Sequence, residues 1–252
     1  MKILAIDTST LTGSVALLET QEAGARQAAP LLTLRAEVIL SVSTKHSQSL
    51  MPAIERIVTE NLIGAGEIDL FAVSEGPGSF TGLRIGMATV QGLALAAEKP
   101  SVGVSSLMAL ALSGSFFPGL VVPMLDARRG EVYAAALRLE NSLLPHFEKG
   151  GLGGFVIEEA AIIPDDLLVR LSQISSEGPI LFLGQGAEVY RDLIASRLGE
   201  RAQFAPAGFN LPRASHVGYL AWQKFLKEGN DSKSLTQPSY LRTASVTFPT
   251  AK

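Results

Sequence analysis

Cysteine is absent from this 252-residue chain. That removes disulfide scaffolds, thiolate nucleophiles and thiolate zinc sites together, and it is compatible with a reducing cytoplasm. Histidine is scarce: His46, His146 and His216 are the only three, and no two lie within a helical turn of each other. A helical metal pair is therefore excluded. Charge is sparse as well, with Asp, Glu, Lys and Arg making up 18% of residues and a net charge of −3. A protein that grips nucleic acid alone needs a basic patch, and this balance argues against one. Neither a Walker loop nor a Gly-x-Ser-x-Gly elbow occurs. A membrane span is also missing. The amino-terminal apolar run ends at Asp7, too early for a signal peptide. From Pro100 to Leu125 there are 26 uncharged residues, but Pro118, Pro123, three glycines and five serines break the run. It reads as a strand, a short helix, a loop and another strand.

What is present is apolar material. Hydrophobic residues reach 47% and mean hydropathy is +0.28, which excludes disorder. A chain of this size buries roughly 70% of its unfolded surface, enough for one or two domains without a staple. Strands are expected at 2–7, 14–19 and 34–41, forming a meander. Leu50, Ile54, Ile57 and Val58 mark one stripe of a helix that starts near Ser49, because Pro52 is tolerated only in a first turn. A strand at 68–74, a glycine turn and a helix at 81–97 follow. That helix is apolar nearly all round and contains Gly82, Gly86 and Gly92. Each glycine costs a helix about 1 kcal/mol against alanine, so they point to close backbone approach. A strand at 102–105 and a helix at 106–112 complete the first half.

The pattern then restarts: strands at 120–126, 131–139 and 154–157, a helix at 165–175, a strand at 180–184, and helices at 188–198 and 215–228. Gly229 reads as a stop, and the tail looks extended. The first half opens AIDTSTLTGSVAL and the second MLDARRGEVYAAAL. Each is an apolar strand, an Asp, a turn ending in Gly, and a strand beginning polar-Val. This faint repeat implies two similar α/β lobes, divided as residues 1–105 and 106–252, with helix 215–229 packing back on the first and the two aspartates facing a cleft.

Asp7 and Thr8 have two readings: a site for Mg²⁺ and phosphate, or a turn cap. Asp126 has the same two. Arg128 and Arg129 beside it serve an anion or are simply solvated. Glu75–Gly82 joins a strand to a helix; it is a weak phosphate signal and a strong positive-φ turn signal.

Several stretches taken together resemble one family. MKILAIDTST, KHSQSLMP, EGPGSFTGLRIGMATVQGLALA, VGVSSLMALA, LDARRGEVYAA and QPSYLR, in this order, closely resemble the bacterial TsaB (YeaZ) family. The resemblance implies an α/β actin-like ATPase fold, RNase H-like in each lobe. It implies a non-catalytic subunit for threonylcarbamoyl transfer to adenosine 37 of ANN-reading tRNAs. It also implies a heterodimer with TsaD, the TsaE ATPase as a further partner, tRNA met only through the complex, no membrane, no cofactor, and a cytoplasmic setting. Whether the free chain is a monomer or a homodimer stays open. TsaD carries a metal-binding His-x-x-x-His pair where this sequence has Ser106 and Leu110. Leucine cannot ligate a metal, so no metal site and no catalytic residue are expected. Asp7, Thr8 and Asp126 remain as a nucleotide-binding remnant. The resemblance puts the partner surface on the first two helices, at His46, Leu50, Met51, Ile54, Gly82, Arg84, Gly86, Met87 and Val90. The competing reading is an autonomous ATP- and Mg-dependent phosphotransferase using Asp7 and Asp126. A metalloprotease fails for want of ligands.

Overall fold

A computed structural model describes residues 1–21, 31–40, 46–138, 154–174, 178–228 and 241. Gly229, the expected tail apart from Leu241, and all of 143–153 lie outside these residues. Three antiparallel strands begin the fold: β1 (Lys2–Asp7), β2 (Gly13–Gln21) and β3 (Leu31–Leu40). Helix α1 (His46–Glu60) leads to β4 (Leu70–Gly76), which pairs parallel to β1. Helix α2 (Phe80–Ala97) leads to β5 (Ser101–Ser105), parallel to β4. The sheet order is β3-β2-β1-β4-β5.

After α3 (Ser106–Ala111) the same plan recurs. Strands β6 (Leu120–Arg128), β7 (Glu131–Arg138) and β8 (Gly154–Ile162) form a second antiparallel meander. Helix α4 (Pro164–Gln173) precedes β9 (Ile180–Leu183), which runs parallel to β6. Helices α5 (Gln185–Val189) and α6 (Arg191–Leu198) precede β10 (Ala202–Phe204). The order is β10-β9-β6-β7-β8. Counted within its own half, each sheet reads 3-2-1-4-5.

The first sheet is covered on both faces, so β1 is a continuous apolar run rather than an alternating one. Leu4 and Ile6 pack with Leu50, Ile54, Met87 and Val90 of α1 and α2. Ile3 and Ala5 pack on the opposite face with α7 (Ala214–Glu228). Two side chains seat the start of α7. Ser14 Oγ accepts the Ala214 N–H at 2.8 Å. Glu37 of β3 accepts the N–H and hydroxyl of Ser215 through one oxygen and two N–H groups of Arg213 through the other. The first N–H groups of a helix lack partners within it, and these acceptors supply them.

The structure departs from the sequence reading in four places. Helix α1 begins at His46, placing Pro52 inside it. The lost bond would run to the Gln48 carbonyl, and both residues are exposed. Strand β8 runs to Ile162 because register shifts against β7 break its alternation. The single helix expected at 188–198 is two, parted at Tyr190, which leaves helical geometry while packing on the second core. Strand β10 is three residues long and too short to show a pattern; Phe204 joins it to the core beside Phe182, 6.0 Å away between ring centres.

Candidate functional site

Asp7 ends β1 and is 0% exposed. Its Oδ1 accepts the Ser9 N–H at 3.0 Å and the Ser9 hydroxyl at 2.9 Å. Oδ2 and the buried Ser74 Oγ have no protein partner. Burial holds the Asp7 carboxyl above the usual carboxylate range, opposed chiefly by the Ser9 donors. Thr8 is also buried, and its hydroxyl donates to the Gly82 carbonyl at 2.8 Å. The Ser79 N–H bonds the Ser9 carbonyl at 2.6 Å. The start of α2 thus lies directly on the β1–β2 turn.

The glycines of α2 make this contact possible. A Cβ on Gly82 would sit 2.1 Å from the Thr8 carbonyl oxygen, and one on Gly86 would sit 2.3 Å from Thr8 Oγ1. The close approach read from the sequence holds at Gly82 and Gly86, where what approaches is the chain's own turn, and not at Gly92. This corrects much of the expected partner surface. Leu50, Ile54, Gly82, Gly86, Met87 and Val90 all face inward, because they form the core between the two helices and the sheet. His46 turns its ring toward the β1–β2 turn, with Nε2 2.8 Å from the Thr10 carbonyl. Met51 and Arg84 point outward. Around them the outer face of α1 and α2 carries Met51, 49% exposed, and Leu95, 81% exposed. Ala88, Gly92 and Ala96 form an exposed stripe of small residues on α2, and a Cβ on Gly92 would meet nothing within 4 Å. Arg84 lies over the Phe80 ring, 3.7 Å from its centre.

Asp126 resembles Asp7 in role and differs in setting. Its Oδ1 accepts the Arg128 N–H at 2.8 Å, its Oδ2 lies 3.5 Å from the Arg128 guanidinium, and its side chain is 30% exposed. Both aspartates bind the N–H two residues on, the Asx-turn geometry. Of the residues expected as a nucleotide remnant, Asp7 and Thr8 lie buried inside the fold, and Asp126 holds its own turn with its side chain part-exposed. Ser106 and Leu110 are fully buried, Leu110 in a cluster with Leu107, Leu125 and Leu183. Among the described residues, no group of three or more His, Asp or Glu is placed to hold a metal.

One feature escaped the sequence. A cavity of about 430 Å³ lies between the two sheets and α7, with Glu75, Glu158, Glu159, Met108 and Lys224 on its walls. The Ser105 hydroxyl donates to Glu159, joining the end of the first sheet to β8. Burial pushes the Glu159 carboxyl up, and the charges of Glu158 and Glu75 add to this. These residues come from two strands and two helices far apart in the chain and share no spacing a sequence could display.

Two sheets of identical 3-2-1-4-5 order, each an antiparallel three-stranded meander extended by two parallel strands, give the chain the doubled α/β architecture of the actin-like ATPase fold. A family model described as TsaD, tRNA N6-adenosine threonylcarbamoyltransferase, matches residues 36–249. The tRNA threonylcarbamoyladenosine biosynthesis protein TsaB of Bacillus subtilis is 33% identical over 244 residues, covering 97% of this chain and 95% of that protein. TsaB of Escherichia coli is 33% identical over 249 residues, covering 96% and 95%. The solved structure of YeaZ from Pseudomonas aeruginosa superposes with a TM-score of 0.69 at 28% identity, covering 95% of this chain and 100% of that one. The chain belongs to the TsaB (YeaZ) family, within the wider TsaD family. No helix among the described residues is long and apolar enough to cross a membrane.

Proposed function

We infer that this chain acts in tRNA threonylcarbamoyladenosine synthesis as a non-catalytic assembly subunit that pairs with TsaD. The TsaD subunit performs the transfer, TsaE joins the pair, and tRNA is engaged by the assembled complex. The observation that supports this most is the outer face of α1 and α2. The two helices lie in contact over one sheet face. They leave Met51, Arg84, Ala88, Gly92, Leu95 and Ala96 open. Small residues let a second helix approach closely, and Leu95 and Met51 offer apolar area that gains by being covered. The burial of Asp7 and Thr8 weighs against an autonomous phosphotransferase, since a Mg²⁺-nucleotide has no access to them. The same outer face suits a homodimer when TsaD is absent.

The test is Gly92→Trp in the full chain, mixed with TsaD from the same genome. The expected result is loss of the heterodimer on size exclusion, with the melting temperature of the free chain no lower than wild type. Transfer falls with assembly and recovers as subunit concentration is raised. Undiminished heterodimer formation would move the partner surface elsewhere, and a wild-type chain that never binds TsaD would end the reading.

A further inference from the structure

The two-residue β6–β7 hairpin requires positive φ at Arg129 and Gly130, and a register shift adds Arg128, so arginines occupy places that glycine, asparagine or aspartate would fill with less strain. Arg128, Arg129 and Gly130 follow one another with φ of 64°, 57° and 79°. For a residue with a Cβ the left-handed region costs roughly 1–2 kcal/mol. Tight hairpin turns of this hand are normally Asn-Gly or Asp-Gly. The other non-glycine residues of positive φ among the described ones, Leu62 and Glu98, are isolated. Here two arginines are adjacent. Neither fills a core: both are exposed, the Arg128 side chain by 78%.

The tip is nevertheless fixed. Asp126 holds the Arg128 N–H, and the flanking Leu125 and Val132 are fully buried. The Asp126–Arg128 ion pair is 3.5 Å long and exposed, a kind worth little, so the guanidinium is readily exchanged to another anion. Persistent strain at an exposed, rigid position marks a place where side-chain identity matters more than turn stability.

We propose that this turn is a phosphate contact for RNA, with Arg128 and Arg129 gripping the sugar-phosphate backbone of the tRNA engaged by the complex. Guanidinium groups match phosphate in shape and donor number. Two adjacent arginines suit a row of closely spaced anions, whereas a single carboxylate on a protein partner needs one. With a net charge of −3 the chain has no broad basic field, so this contact is local and adds to binding made elsewhere in the complex. The proposal rests on the reading that the complex modifies tRNA.

The experiment compares the reconstituted complex with one carrying Arg128→Asn and Arg129→Asn together. Asparagine tolerates the left-handed region, so the turn is kept while both charges go. tRNA affinity is measured from about 50 to 200 mM salt. The expected result is affinity weaker by about 3- to 30-fold at the low-salt end, with the slope of log K against log salt reduced by about 1 to 2. Heterodimer affinity and the transfer rate at saturating tRNA stay unchanged. An unchanged slope overturns the proposal. So does a loss confined to heterodimer affinity, which would assign the turn to a carboxylate on the protein partner. A wild-type complex that binds no tRNA would instead defeat the reading beneath it.

Discussion

At the end of β1, Asp7 accepts the N–H of Ser9; at the end of β6, Asp126 accepts the N–H of Arg128. The two residues hold equivalent places in sheets of the same strand order. Their surroundings differ. The first turn is covered by α2, whose glycines let Thr8 pack against helix backbone, while Gly78 just before the helix makes room for Ser9. The second turn stands in solvent and carries two arginines in strained conformations. One framework has been used twice, once to seal a turn into a helix seat and once to hold a turn out. The aspartate is common to both, so Asp at a strand end reports the framework. Burial and the residues beyond the Asp decide what each copy does.

Breaking the sealed turn should have the largest effect. Gly86→Leu would drive a side chain into Thr8 and Val73, both fully buried. Overpacking of this kind costs typically 1–3 kcal/mol, and at a site with no room about 3 kcal/mol or more is expected. Chemical denaturation of the variant should show a much lower midpoint or no folded baseline. Leucine at Gly92, which faces outward from the same helix with nothing in its way, should keep stability or raise it, by up to about 1 kcal/mol, because a helix-interior glycine is removed. Equal effects at the two positions would mean that α2 is not seated on the β1–β2 turn.

The charge state of the sealed turn gives a smaller and pH-dependent effect. The Asp7 carboxyl is raised above its unfolded value, mainly by burial. The folded chain therefore holds this proton more tightly than the unfolded chain. The contribution is fully present below the unfolded carboxylate value and is lost as pH rises through the folded one. Asp7→Asn removes that dependence, keeps an oxygen for Ser9 and offers an N–H to the unpartnered Ser74 Oγ. Thermal melts should show the variant more stable near pH 7, by about 1 kcal/mol, with the advantage shrinking toward about pH 4. An advantage that grows on acidification would mean the carboxylate is held ionised by its donors.

Much of this was legible in the sequence, and the limits are physical. Periodicity and the AIDTST and LDARRG repeat identified both sheets, because a strand buried on two faces must be continuously apolar. Gly82 and Gly86 signalled a close contact correctly. Their spacing cannot say which side of a helix that is apolar all round faces the sheet, and the answer depended on where Thr8 lands after folding. Met51 and Arg84 were legible as surface residues; Ala88, Gly92 and Leu95 were hidden, since small and apolar residues on an outer face look like core. The cavity of Glu75, Glu158 and Glu159 arises from two strands far apart in the chain and left no local trace.

The exposed turn should respond least. Asp126→Ala removes one hydrogen bond from a side chain that is 30% exposed, and water can replace it at the Arg128 N–H. A loss of about 0.5–1 kcal/mol in stability is expected. If the chain is an assembly subunit, threonylcarbamoyl transfer by the reconstituted complex should stay within about tenfold, which is about 1.4 kcal/mol in barrier. A true catalytic base commonly costs about 10² to 10⁴ in rate when removed. The measurement is modified tRNA per minute with every component saturating, so that weakened assembly cannot imitate lost chemistry. The comparison with Asp7→Ala sharpens the result. That change leaves the Ser9 N–H and hydroxyl without their acceptor inside a sealed turn, so it should cost more stability than Asp126→Ala and, per assembled complex, no more activity. A thousandfold loss at Asp126 with assembly intact would make the exposed turn part of the reaction, and the two copies of the framework would then differ in chemistry as well as in burial.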